Sequence, residues 1–339
     1  MGKIKKAEDK VVIKSVSILP EQDAYIKSHF LILSKFLQSK LKEEIEKEKK
    51  TNTKEIKINT KKIPINKIIL GDCKERLNRI PDSSIDLVIT SPPYADNRKS
   101  SYEGIPMNKY VEWFLPISAQ VKRVLKEDGS FILNIKERAS NGERHTFVLQ
   151  LILEMKKQGW IWVEEYIWHK RNAYPGKWPN RFRDSWERCL HFTKNKKFKM
   201  YQEAVMVPMG KWAEKRLAKL SDKDKIRYES RVNSGFGKNI SNWIGRDKAY
   251  PTNVLQLPTE SSNKGHSATF PISLPSWFIL LFTSKGDVVL DPFMGSGTTA
   301  MACIGLERNY IGIEKMPEYY KLILSNIKKA SEKTNRNNK

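Results

Sequence analysis

An apolar run that stops at two prolines has few options beyond a buried strand meeting a stiff turn. Residues 85–89 read Ile-Asp-Leu-Val-Ile, and Thr90-Ser91-Pro92-Pro93-Tyr94 follow at once. Ile85, Leu87, Val88 and Ile89 are too few for a helix and suit a parallel strand buried on both faces. Proline has no N–H, so the ladder ends there. The turn then stands at the carboxyl edge of the sheet, where open α/β sheets bind ligands. The Pro92 carbonyl is left without an obvious ladder partner, available as a fixed acceptor.

Ser91 offers a hydroxyl, Pro92 a carbonyl and Tyr94 an aromatic face. Two acceptors and a stacking surface suit a flat ring carrying an exocyclic –NH2, that is, adenine or cytosine. Held by both hydrogens, the nitrogen is drawn out of ring conjugation and its lone pair becomes nucleophilic. A base used this way must first leave the duplex stack, and aromatic stacking in the pocket offsets part of that penalty. The tetrapeptide alone would equally well be a strand-closing turn.

A second stretch decides between the two. Val288-Val289-Leu290 reads as a strand, followed by Asp291-Pro292-Phe293-Met294-Gly295-Ser296-Gly297-Thr298-Thr299 and a small-residue helix from Ala300. Strand, glycine turn and helix N-terminus together make a nucleotide-type cofactor site. Tyr310-Ile311-Gly312-Ile313-Glu314 is a further strand, ending in a carboxylate where a ribose hydroxyl pair would be held.

These paired motifs resemble the amino-methylating DNA methyltransferases that use S-adenosylmethionine. Ser-Pro-Pro-Tyr comes first and the glycine turn last, an order that looks like the β group of that family. The resemblance spans roughly Ile68 to Ala330. It implies a doubly wound, Rossmann-like α/β sheet and direct transfer of methyl to an exocyclic amine, with no metal and no covalent enzyme intermediate. Ser91 and Pro92, with Pro93 in the turn, would orient the amine and Tyr94 would stack on the flipped base. Asp291, Pro292, Phe293, Gly295, Gly297, Thr298 and Glu314 would hold the cofactor. Asp72 and Cys73, after the strand Ile68-Ile69-Leu70, would lie at its adenine end.

Charge points the same way. Sixty-two Lys and Arg against 38 Asp and Glu leave a net +24, which favours a polyanionic partner over an acidic small molecule. The three cysteines, Cys73, Cys189 and Cys303, show neither disulfide nor zinc spacing. No Pro-Cys pair supplies the thiolate that methylation at a ring carbon needs. With no membrane-length apolar run and no signal-peptide core, the expectation is a cytoplasmic, nucleoid-associated protein.

Along the chain, residues 1–50 read as a separate strand–helix–helix module. Val16-Ser17-Ile18-Leu19-Pro20-Glu21 and Leu33-Ser34-Lys35-Phe36-Leu37 resemble the ribbon-helix-helix modules, which implies a homodimerising or DNA-binding arm. Ile18-Leu19 departs from the alternation such a strand needs. Residues 51–66 read as a charged linker, 67–330 as the methyltransferase domain and 331–339 as a basic tail. Helices are expected over 76–80, from Asn108 to Gly129, over 147–158 and over 275–283. The cation–aromatic stretch from His169 to Glu187 suits a surface that tracks a phosphate backbone, through Lys170, Arg171, Arg181 and Arg183. Residues 194–257 occupy the place of the family's target-recognition region. Arg231, Asn233, Lys238, Asn239, Asn242 and Arg246 are its expected DNA contacts.

Ser91 stands where many adenine enzymes of the family carry Asp or Asn. A hydroxyl places no carboxylate beside the cytosine ring acceptors, which favours N4 of cytosine over the alternative, N6 of adenine. The expected partner is double-stranded DNA, and a cognate restriction endonuclease is expected to act on the same site without necessarily binding the chain. Two rival classes, RNA or protein-glutamine methylation and a regulator with a vestigial methyltransferase body, fit less well. The basic insert and the permuted order oppose the first, and both motifs being intact opposes the second.

Overall fold

The computed structural model describes residues 63–95, 104–173, 179–210, 245–259 and 270–337, apart from a few isolated positions and gaps of one or two residues. The chain divides into two compact units, Met1–Thr60 and Lys61–Lys339. Of the strand and helices expected in 1–50, the described residues are five helical positions, Pro20, Glu21, Lys40, Lys42 and Glu43.

The second unit is built on one eight-stranded sheet. Its strands are β1 (Lys67–Leu70), β2 (Ile85–Thr90), β3 (Leu125–Ile135), β4 (Ile161–Lys170), β5 (Trp186–Thr193), β6 (Val254–Leu257), β7 (Val288–Asp291) and β8 (Asn309–Glu314). Across the sheet the order is β1-β8-β7-β2-β3-β5-β4-β6. Every neighbouring pair is parallel except those made by β5, which runs against both β3 and β4.

Its helices are α1 (Cys73–Arg76), α2 (Tyr110–Val124), α3 (Phe147–Lys157), α4 (Ser273–Phe282), α5 (Thr298–Gly305) and α6 (Pro317–Asn337). They cover both faces of the sheet. Phe114 and Val121 of α2 and Leu151 of α3 pack with Val88, Phe131, Leu290 and Ile311 on one face. On the other, Phe278 and Phe282 of α4 and Ala302 of α5 pack with Leu87, Ile89, Ile132 and Val289. Alternate residues of β2 and β7 thus enter opposite cores, as the pleat requires.

All six residues of β2 are buried, including Asp86. Burial opposes its charge, but Lys126 (2.8 Å), the Val288 N–H (3.0 Å) and Lys199 (2.9 Å) outweigh it, and the carboxyl is held below its usual range. Gly129 lies in the bulge beside it, where a Cβ would come within 2.9 Å of the Asp86 carbonyl.

Several expected boundaries shift. Helix α2 ends at Val124 and not at Gly129, because Leu125 begins the strand and residues to Gly129 form its bulged entry. Asn108 lies in a 3-10 turn before α2 and does not cap it. The helix expected over 76–80 is α1 followed by a 3-10 turn, Leu77–Arg79. Helix α6 reaches Asn337, so most of the expected tail is helical. Residues 254–257 of the expected recognition region are a strand of the central sheet. A two-residue ladder pairs Val207 with Ala249 and Pro208 with Lys248.

His191 of β5 is 1% exposed, and its one side-chain hydrogen bond among the described residues is to the Ser130 hydroxyl, 3.0 Å away. Burial pushes its pKa down to about 3. The unfolded chain therefore takes up this proton near pH 6.5 and the folded chain does not. Stability is full above that pH and falls as the solution is acidified through it. At pH 5.5 the loss is about 1.4 kcal/mol. Thermal melts of wild type and His191→Phe should diverge between pH 7 and 5.5, the variant being the less acid-sensitive. Parallel pH profiles would refute this.

Candidate active site

Strand β2 leads through α2 to β3 on one side, and β7 leads through α5 to β8 on the other. The border between β2 and β7 is therefore the point where the winding reverses, and a crevice opens there beyond the carboxyl ends. The two sequence motifs meet at this crevice. Thr90 Oγ1, at the end of β2, donates to Asp291 Oδ1, at the end of β7, over 2.6 Å.

A cavity of about 680 Å³ lies above this junction, a size suited to a cofactor or small ligand. Of the residues predicted from sequence, Ser91, Pro92, Pro93, Tyr94, Asp72, Cys73, Pro292, Phe293, Gly295, Thr298 and Glu314 line it. Asp291 and Gly297 do not.

Asp291 is 1% exposed and sits beneath the turn. It accepts from Thr90, from Thr299 Oγ1 (2.6 Å) and from the Phe293 N–H (3.0 Å). Burial raises its pKa, partly offset by these three donors. Asp291 ties the two motifs together. Gly297, at φ +86°, precedes α5, and a Cβ there would meet Ile323 at 3.0 Å. Its place is a packing requirement of α6.

Gly295, at φ +59°, donates its N–H to Glu314 Oε2 over 2.8 Å. Glu314 Oε1 accepts from the Met316 N–H at 2.9 Å. The Lys315 N–H also meets the carboxylate, which keeps a further lone pair, and burial raises the pKa of the group. Asp72 caps α1 through the Lys74 N–H (3.0 Å) and pairs with Lys315 at 3.2 Å. Burial opposes its charge, but these partners bring its pKa below the usual value. Desolvation pushes the Cys73 thiol up to about 12, so it is no nucleophile near neutrality.

At the catalytic turn, the Pro93 carbonyl accepts from Tyr110 Oη at 2.9 Å. No donor meets the Pro92 carbonyl among the described residues. The Tyr94 phenol donates to Glu187 Oε2 over 2.5 Å, and burial, with the Glu187 charge second, pushes its pKa well up. Glu187 is itself buried and also accepts from Asn134 Nδ2 (3.1 Å) and from Lys170.

Sequence reasoning missed Glu187 and Asn134 as supports of Tyr94, and Trp113, Lys109 and Tyr319 as parts of the cavity wall. Trp113 shows as an aromatic within the α2 pattern, beside Phe293 at 5.8 Å between ring centroids. The Lys170 ammonium pairs with Glu187 and lies over Trp168. Arg171, Arg183 and Arg246 are exposed, and Arg181 is half-buried. Arg231, Asn233, Lys238, Asn239 and Asn242 lie outside the described residues.

The fold and the paired motifs define an S-adenosylmethionine-dependent methyltransferase. A family model described as DNA methylase, of the N6/N4 methyltransferase type, matches residues 85–325, and the chain belongs to that family. It is similar to the Type II methyltransferase M.PvuII of Proteus hauseri, at 31% identity over 74% of this chain and 80% of the relative. The orphan methyltransferase M.BamHII of Bacillus amyloliquefaciens is 30% identical over 71% of this chain and 87% of its own. Among solved structures, PvuII DNA methyltransferase (cytosine-N4-specific) aligns with TM-score 0.58 and 25% identity, covering 80% of this chain and 92% of that one. The chain is thus a site-specific Type II DNA methyltransferase of the N4/N6 family. Among the described residues no helix is long and apolar enough to cross a membrane.

Proposed function

We propose that the chain methylates N4 of cytosine within a short sequence of double-stranded DNA. The observation that carries the reading is the Pro92 carbonyl, unmet by any donor among the described residues, beside the Ser91 hydroxyl on the wall shared with the glycine turn. Serine, and not a carboxylate, at this position favours the cytosine ring. M.PvuII, whose solved structure is described as cytosine-N4-specific, supports the same choice.

The cavity fits the methyl donor chemically. Asp72 is kept ionised, Glu314 has a spare lone pair, Ser296 and Thr298 add hydroxyls, and Phe293 and Trp113 give aromatic walls. When bound, S-adenosylmethionine supplies an electrophilic methyl group. The flipped base lies against Tyr94, whose ring Glu187 holds in place. The Pro92 carbonyl and Ser91 hydroxyl accept the two amine hydrogens and so fix the nitrogen lone pair. Arg171, Arg183 and Arg246 contribute phosphate contacts. Protection of the site from a cognate restriction nuclease is the role this implies, with residues 1–50 as a dimerising arm.

Nucleosides from DNA methylated in vitro, separated and weighed by mass spectrometry, should contain N4-methylcytosine. N6-methyladenine alone would overturn the choice of ring and leave the chemistry of the turn intact.

A further inference from the structure

We infer that Phe182 is the wedge that enters the duplex and holds open the gap left by the flipped base. The inference rests on the DNA-methylating reading and adds to it a residue that acts on the DNA stack, away from the methyl group.

Phe182 is 98% exposed. Single exposed apolar side chains are ordinary on a protein surface. This one stands apart in degree, since the next most exposed large apolar side chain among the described residues, Leu153, is 59% exposed. Its support is braced. The segment between β4 and β5 is pinched at its neck, where the Lys170 N–H donates to the Ser185 carbonyl over 2.7 Å. Arg183 donates across it to the Ala173 carbonyl at 3.3 Å, and Asp184 pairs with Arg144 at 3.0 Å and Lys136 at 3.3 Å. An aromatic ring held out in water beside the exposed Arg183 has the composition of a stacking element next to a phosphate contact.

Position supplies the rest. Five residues after Phe182 the chain reaches Glu187, which takes the Tyr94 hydroxyl at 2.5 Å. Five residues span at most about 18 Å. Phe182 is therefore tethered within reach of the stack from which a base seated at Tyr94 has been withdrawn. Extruding a base leaves its neighbours unstacked, and an inserted ring restores a stacking partner to them.

The test compares wild type, Phe182→Ala and Phe182→Trp on two duplexes carrying the site mapped by sequencing host DNA. One duplex is fully paired; in the other the target base faces an abasic position, so that no pairing opposes its extrusion. On the paired duplex Phe182→Ala should lose about tenfold to hundredfold in kcat/KM, the range of a single base–aromatic stack. Phe182→Trp should retain activity. On the abasic duplex Phe182→Ala should lose markedly less than on the paired one, since no opposing base then competes to draw the target back into the gap that the ring fills. Wild-type rates for Phe182→Ala on the paired duplex, or an equal loss on both duplexes, would overturn the inference. Wild-type protein that methylates no DNA would instead overturn the function on which it rests.

Discussion

Gly295→Trp should abolish S-adenosylmethionine binding and leave the chain folded. Gly295 lines the cavity at φ +59°, and its N–H is already committed to Glu314. An indole on that backbone projects from the cavity wall and should displace either the ligand or the Glu314 contact. The left-handed backbone adds strain of about 1–2 kcal/mol for any side chain. The melting temperature should therefore fall by only a few degrees. Gly295→Ala separates the two effects: it carries the strain without the bulk and should still bind. Calorimetric titration should give no heat for the tryptophan variant. Unchanged cofactor affinity would show that the cavity is not the donor site.

Asp291→Ala should damage both stability and catalysis, although Asp291 touches no part of the cavity. The substitution leaves the hydroxyls of Thr90 and Thr299 and the N–H of Phe293 without their buried acceptor. An orphaned buried donor costs about 1–3 kcal/mol. Three donors that partly repartner place the loss at roughly 3–5 kcal/mol in urea unfolding, at the severe end for one substitution. The second consequence is geometric. With the clasp gone, the Ser91–Tyr94 turn is no longer fixed relative to the glycine turn, and misplacement by about 1 Å lowers the rate about a hundredfold. Asp291→Asn, which retains one acceptor oxygen, should fall between. Wild-type stability in Asp291→Ala would refute the clasp.

Much of this arrangement was legible in the sequence because prolines and glycines punctuate it. The strand before Pro92 and the strand–turn–helix around Gly295 are local patterns, and the carboxylate closing β8 ends an apolar run. What stayed hidden depends on partners distant in sequence. No local pattern announces that Asp291 accepts from Thr90, 201 positions away. Nor does any show that Lys170 pairs with a buried glutamate, Glu187. That glutamate supports Tyr94 from 93 positions away, which no spacing rule announces. Strand β5, Trp-Glu-Arg-Cys-Leu-His-Phe-Thr, has no β-branched residue before its last and carries three titratable groups among its first four positions, so periodicity passes over it. The overlong estimate of α2 has the same origin: Leu125 continues the helical spacing, while the bulge at Gly129 that ends it is set by the neighbouring strand.

Because β5 runs against its neighbours, β4 ends and β5 begins on the same rim of the sheet, the rim that holds the catalytic turn. A chain that leaves and re-enters at one rim can lengthen, shorten or change its side chains without shifting the register of any strand beneath. The cofactor half has no such freedom, since its turn is clasped on both sides. On the proposed reading, DNA contacts made by residues 171–185 can be rewritten while the Thr90–Asp291 clasp keeps the two motifs in place.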